Sequence, residues 1–285
     1  MIVFSKSNND FPNKKKVIFF LILTINSTFA QKKEFRDTKV DSLTFVNNRK
    51  IMNSLNTEPF RKKIYKTGSI QIPYRFLTPK NNANGKKYPL VITFHNSSRI
   101  GTDNESQLEP VAKIWLRDEI YNKYPCYVLA PQFDKRSSNY ENSGGDVQIS
   151  KPSDAAVAIL KLIKDVEKEY PDIDKNRIYL VGYSMGASTA QNLLNLKPSA
   201  FTALVSIAAV PDFSNLKNIN KKNIWLIHGE QDNENPYKGS VELTNRLTPN
   251  PDLFFTTFTY LNHNNITIPF LLTEEIPKWL FEKRK

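Results

Sequence analysis

The chain has 285 residues, 40% of them hydrophobic and 24% charged, with a mean hydropathy of −0.47, a profile that excludes a disordered chain and a multi-span membrane protein. One cysteine, Cys126, excludes an intrachain disulfide framework and a thiolate-rich zinc site, and three histidines leave little for a histidine-built metal site. The formal charge is +12, but the lysines are dispersed among asparagines and form no arginine-rich stripe, so a solvated basic surface is favoured over a nucleic-acid interface. At the N-terminus, Lys14–Lys16 precede the apolar run Val17–Ile25 and the small-residue stretch Asn26–Ala30. That order predicts a signal peptide over 1–30, cleavage after Ala30 and a secreted or periplasmic protein with no stable membrane insertion. The remaining chain carries 36 basic and 27 acidic residues.

Residues 31–67 read as a loosely packed N-terminal arm, and 68–285 as one catalytic domain. Gly68–Leu77 suggests one or two antiparallel edge strands. After it come short, mostly apolar, β-favouring runs: Tyr88–Phe94, Tyr127–Ala130, Arg177–Val181, Ala203–Ile207, Asn223–Ile227 and Leu253–Phe258. Helical stretches lie between and after them, at Gln107–Tyr121, Ser153–Tyr170, Ala187–Leu196, Ser240–Leu247 and Glu274–Lys283. Continuous apolar strands alternating with helices predict an α/β fold, a mostly parallel central sheet with helices on both faces.

The strand ending at Val181 runs into Gly182-Tyr183-Ser184-Met185-Gly186-Ala187, and a helix follows. This is G-x-S-x-G between strand and helix, where the turn admits only very small residues two before and two after the serine and raises its hydroxyl at the sheet edge. Ser184 is thereby the candidate nucleophile, beside helix N–H groups that favour developing negative charge. A serine nucleophile needs an imidazole base, and the base needs a carboxylate to hold its tautomer. The chain order Ser, acid, His selects Asp232 and His263, with Glu230 or Asp212 as other candidates for the acid. His228 precedes the acid and reads as structural, whereas His95 opens the loop expected to supply an oxyanion donor. Tyr140 and Tyr237 are candidate stacking surfaces in the polar loops around the serine.

The stretches Ile72–Pro79, Lys87–His95, Gly101–Asn104, Val128–Gln132, the Gly182–Ala187 elbow and Trp225–Asp232 with Asn235-Pro236 together resemble the α/β-hydrolase superfamily. Within it the chain is similar to the secreted esterase and predicted-peptidase group, of phospholipase/carboxylesterase or dienelactone-hydrolase type. The resemblance covers most of 68–283. It implies a triad on Ser184, Asp232 and His263, no metal or organic cofactor, and oxyanion donors at the Met185 N–H and in the loop after His95. Where relatives have His-Gly this chain has His95-Asn96, so Asn96 is expected at positive φ, and the second donor is Asn96 or Ser97. The implied function is hydrolysis of small-molecule or polysaccharide-linked carboxylic esters. The alternatives are a serine peptidase of the prolyl-oligopeptidase superfamily and a non-catalytic binding protein on the same fold.

Overall fold

Along the strand Ile173–Tyr183, Ile178 and Leu180 enter one hydrophobic cluster while Tyr179 and Val181 enter another. Successive side chains of a strand point to opposite faces, so both faces of this strand are covered. The computed structural model describes residues 31–285 except 82, 84 and 143; the expected signal peptide, 1–30, lies outside the described residues.

In chain order the strands are β1 (Lys32–Arg36), β2 (Arg61–Thr67), β3 (Ile70–Leu77), β4 (Tyr88–Phe94), β5 (Tyr127–Pro131), β6 (Ser138–Asn142), β7 (Gln148–Pro152), β8 (Ile173–Tyr183), β9 (Ala203–Ile207), β10 (Asn223–Gly229) and β11 (Leu253–Phe258). The helices are α1 (Ser42–Asn53), α2 (Pro110–Lys113), α3 (Asp118–Lys123), α4 (Asp154–Glu169), α5 (Met185–Leu196), α6 (Leu216–Ile219), α7 (Lys238–Arg246), α8 (Ile268–Leu271) and α9 (Glu275–Phe281). Nine strands form one sheet in the order β1-β11-β10-β9-β8-β4-β5-β3-β2. Within this sheet, among the described residues, only the pairs β3–β5 and β2–β3 are antiparallel. Ile159 and Leu162 of α4, Leu193 of α5 and Leu243 of α7 pack on one face. Met52 of α1, Val111 of α2, Ile120 of α3 and Leu280 of α9 pack on the other. Among the described residues no helix is long and apolar enough to cross a membrane.

Three expectations change. The segment 31–67 is not a loose arm: β1 pairs with β11 at one edge of the sheet, β2 with β3 at the other, and Met52 of α1 is fully buried. An exposed sheet edge presents unpaired backbone groups, and the charged sequence of β1 covers one such edge while discouraging further pairing. The helix expected at Gln107–Tyr121 is broken into α2, a 3-10 turn at Ile114–Leu116, and α3. Arg117 is extended there, because its guanidinium donates to the carbonyls of Leu271, Leu272 and Thr273. Finally, the loop after Phe133 contains the β6–β7 hairpin, whose polar strands carry little apolar signal.

Candidate active site

Ser184 sits between β8 and α5 with φ +56° and ψ −125°, a backbone conformation that non-glycine residues rarely adopt. Its N–H is tied to the Ile207 carbonyl of β9 at 2.9 Å. The flanking glycines have a steric cause. A Cβ on Gly182 would strike the backbone of Gly186, and one on Gly186 would strike the backbone of Phe94 and His95. The second contact also brings the loop after β4 against the N-terminus of α5.

Ser184, His263 and Asp232 stand in one hydrogen-bonded row. His263 Nε2 is 2.8 Å from Ser184 Oγ, and His263 Nδ1 is 2.7 Å from Asp232 Oδ2. The carboxylate fixes the proton on Nδ1, leaving Nε2 to accept from the serine hydroxyl. All three residues are buried. The Asp232 Oδ1 atom accepts from the N–H groups of Glu234 and Asn235 at 3.0 and 2.8 Å. Burial alone would raise the Asp232 carboxyl, but hydrogen bonds and charge from His228 and His263 hold it well below the usual carboxylate range. Neither other candidate acid reaches the imidazole. Asp212 is taken up by Asn192 Nδ2 and the Ser214 N–H, and Glu230 is exposed.

The histidine loop is tied to the acid loop. The Gln231 N–H donates to the Leu261 carbonyl, and Gly229 lies so close to that carbonyl that no Cβ fits. Tyr183 donates its hydroxyl to the His263 carbonyl at 2.7 Å, and its ring lies 5.2 Å from the imidazole.

His228 does more than fill space. Its Nε2 faces both Asp232 Oδ2 at 3.2 Å and the Asn235 carbonyl at 2.8 Å, so this nitrogen carries the proton, and Nδ1 accepts from Ser240 Oγ at 2.7 Å. Two imidazoles thus share one carboxylate oxygen, a link the chain order does not reveal. His95 is buried and neutral: Nδ1 donates to the Asn96 carbonyl at 2.7 Å and Nε2 accepts from the Phe133 N–H at 3.1 Å. Burial pushes its pKa down to about 4.

Asn96 departs from expectation. Its φ is −76°, and its N–H donates to Glu109 Oε1 at 3.1 Å. Its Nδ2 donates to Glu109 Oε2 at 2.8 Å, while its Oδ1 accepts from the Ser98 N–H and hydroxyl, capping the 3-10 turn Ser97–Arg99. Held this way, Asn96 needs no left-handed backbone, and its N–H is not available to an oxyanion. Among the described residues the N–H groups of Ser97 and Met185 have no protein acceptor. Tyr237 packs into the core, stacked on Phe255 and edge-on to His228, instead of forming a pocket wall. Tyr140 lies under the Arg136 guanidinium with its hydroxyl 3.3 Å from Ser188 Oγ. Among the described residues no cluster of histidine, cysteine, aspartate or glutamate could hold a metal ion.

No protein-family model and no curated protein sequence matches the chain. Solved structures do. A thermostable esterase aligns at 29% identity and a TM-score of 0.73 over 80% of this chain; the chain spans 64% of that esterase. An esterase of Pyrococcus furiosus aligns at 20% identity, TM-score 0.55, over 83% of this chain and 96% of its own. The Pyrococcus horikoshii acylaminoacyl peptidase aligns at 16% identity, TM-score 0.58, over 84% of this chain and 44% of its own. The sheet order, the strand–serine–helix turn and these likenesses agree: the chain has the α/β-hydrolase fold and is similar to an esterase that shares it.

Proposed function

We propose that the protein is an exported serine hydrolase that cleaves carboxylic esters through an acyl-enzyme. The reading rests on the row Ser184–His263–Asp232 at 2.8 and 2.7 Å. Ser184 Oγ attacks the ester carbonyl as His263 Nε2 takes its proton, and Asp232 stabilises the imidazolium. The N–H groups of Met185 and Ser97 hold the oxyanion, each typically worth about 2.7–4 kcal/mol of transition-state stabilisation. Collapse expels the alcohol, which takes the proton from His263. Water then enters by the reverse proton route and releases the acid. Acyl groups on polysaccharides are the proposed natural substrates, since the loops near the serine are polar.

A second reading, a serine peptidase, is supported by the likeness to the acylaminoacyl peptidase, as the same three side chains can cleave an amide. Rates on short p-nitrophenyl esters against prolyl-peptide amides separate the two, and inactivity on both favours a binding protein. For export, the mature chain recovered from periplasm or medium should begin at Gln31; finding residues 1–30 on it contradicts cleavage.

A further inference from the structure

Beside the Ser184–His263 row lies a cavity of about 120 Å³. Tyr183 and Asn264, the chain neighbours of Ser184 and His263, line one part of it, and Asn96 and Ser98 another. Arg49 of α1 and Arg99 of the 3-10 turn line it as well.

Several arginines of the protein, Arg75, Arg117 and Arg177 among them, hold a carboxylate. Among the described residues no carboxylate lies within ion-pairing distance of Arg49 or Arg99. Arg49 stacks on Phe45 at 5.2 Å, and Arg99 Nε is buried without a hydrogen-bond partner. A buried donor left unmade is costly, and more so on a charged group, so the Arg99 Nε, together with the Arg49 guanidinium that has no ion pair on the same cavity, points to a missing anion.

The carboxylate on the wall, Glu109, is turned to Asn96, which occupies both its oxygens. Burial pushes Glu109 up to about 8, so at neutral pH it supplies the arginines with little negative charge. Lys113 stands close enough to Arg99 to feel its charge and adds to the positive field. Glu234 lies at the exposed side, bonded to Asn264 Nδ2.

We propose that this cavity is an anion subsite in which Arg49 and Arg99 receive a carboxylate of the substrate, making the preferred substrates carboxylic esters that carry one negative charge near the scissile carbonyl. The proposal rests on Ser184 being the nucleophile. The planar fork of arginine matches a carboxylate in geometry. The nearby Glu234 carboxylate disfavours a dianion such as phosphate. The charge belongs either to the acyl side, as in a hemiester of a dicarboxylic acid, or to the alcohol side, as in an acylated uronate.

Two matched pairs test it: 4-nitrophenyl butyrate against 4-nitrophenyl hemisuccinate for the acyl side, and phenyl acetate against 3-acetoxybenzoate for the alcohol side. In one pair the anionic member should have the higher kcat/KM. Its ratio to the neutral member should fall about 10- to 100-fold in Arg49→Gln and Arg99→Gln and recover in part in the lysine variants, the range expected for a charged hydrogen bond. Structural damage would lower both members and leave the ratio alone. Ratios in both pairs that are the same in the native protein and both glutamine variants overturn the subsite. If the native protein hydrolyses none of the four esters, the hydrolase reading fails on its own, and calorimetric binding of benzoate decides the subsite. Weaker binding in the glutamine variants upholds it; equal or undetectable binding overturns it.

Discussion

Glu109 holds Asn96 with both carboxylate oxygens, one on the backbone N–H at 3.1 Å and one on Nδ2 at 2.8 Å. A residue at the start of α2 therefore fixes the conformation of the loop that follows β4. That loop lies against the N-terminus of α5, where Met185 and Ser97 offer their N–H groups.

Asn96→Gly should lower kcat by roughly 10- to 100-fold, with KM less affected, because it removes the amide that locks the loop and misplaces an oxyanion donor. Glu109→Ala should do the same and leave Asn96 unpaired as well. Steady-state kinetics on a short p-nitrophenyl ester checks both. Unchanged kcat in Asn96→Gly would return the position to the simple glycine substitute that the sequence suggested.

The same loop sets a pH signature in stability. His95, lowered from 6.5 to about 4, is neutral when folded, so its contribution is present above pH 6.5 and lost as pH falls towards 4. Glu109, raised from 4.5 to about 8, is protonated when folded, so its contribution is present below pH 4.5 and lost as pH rises towards 8. The two slopes oppose each other between pH 4.5 and 6.5, and Glu109 alone acts from 6.5 to 8. Urea unfolding should show a decline of about 2 kcal/mol over that upper interval, absent in Glu109→Gln. A decline of equal size in the variant would contradict the assignment.

Gly182→Ala should yield little folded protein, since its Cβ would meet backbone atoms of Gly186 and Ala187 that cannot move without dismantling the elbow. The cost should exceed about 3 kcal/mol, at the upper end for overpacking. Gly144→Ala is the control: its φ is +76° but its Cβ meets nothing, so only backbone strain of about 1–2 kcal/mol applies. Similar melting temperatures for the two variants would contradict the steric argument.

His228→Ala should reduce kcat about tenfold or more by removing one of the donors that place Asp232 Oδ2 against the His263 imidazole. His228→Gln, able to donate from the same side, should recover part of the loss. A stable His228→Ala protein with native kinetics would show that Asp232 needs no second imidazole.

Ser184, Asp232 and His263 were legible because the elbow glycines and the chain order are local or ordinal signals. The central strands were legible because both their faces are buried, which writes a continuous apolar run into the sequence. β1, with the sequence Lys-Lys-Glu-Phe-Arg, is an exposed edge strand whose pairing comes from the partner's open edge and not from its own side chains. The β6–β7 hairpin is hidden for the same reason, its strands being largely polar. Glu109 and Arg49 could not be connected to the site by any spacing rule, because only tertiary packing carries α1 and α2 to the loop after β4. By analogy with glycine Asn96 would take a positive φ, whereas the bond from its N–H to a buried carboxyl accompanies an ordinary extended backbone.

The central claim is that Ser184 is the nucleophile, and covalent labelling tests it most directly. After reaction with a fluorophosphonate, intact mass should rise by one adduct and peptide mapping should place it on Ser184, while Ser184→Ala, folded by circular dichroism, takes up none and hydrolyses no ester. An adduct that persists in Ser184→Ala, or that maps to another residue in the native protein, would contradict the account.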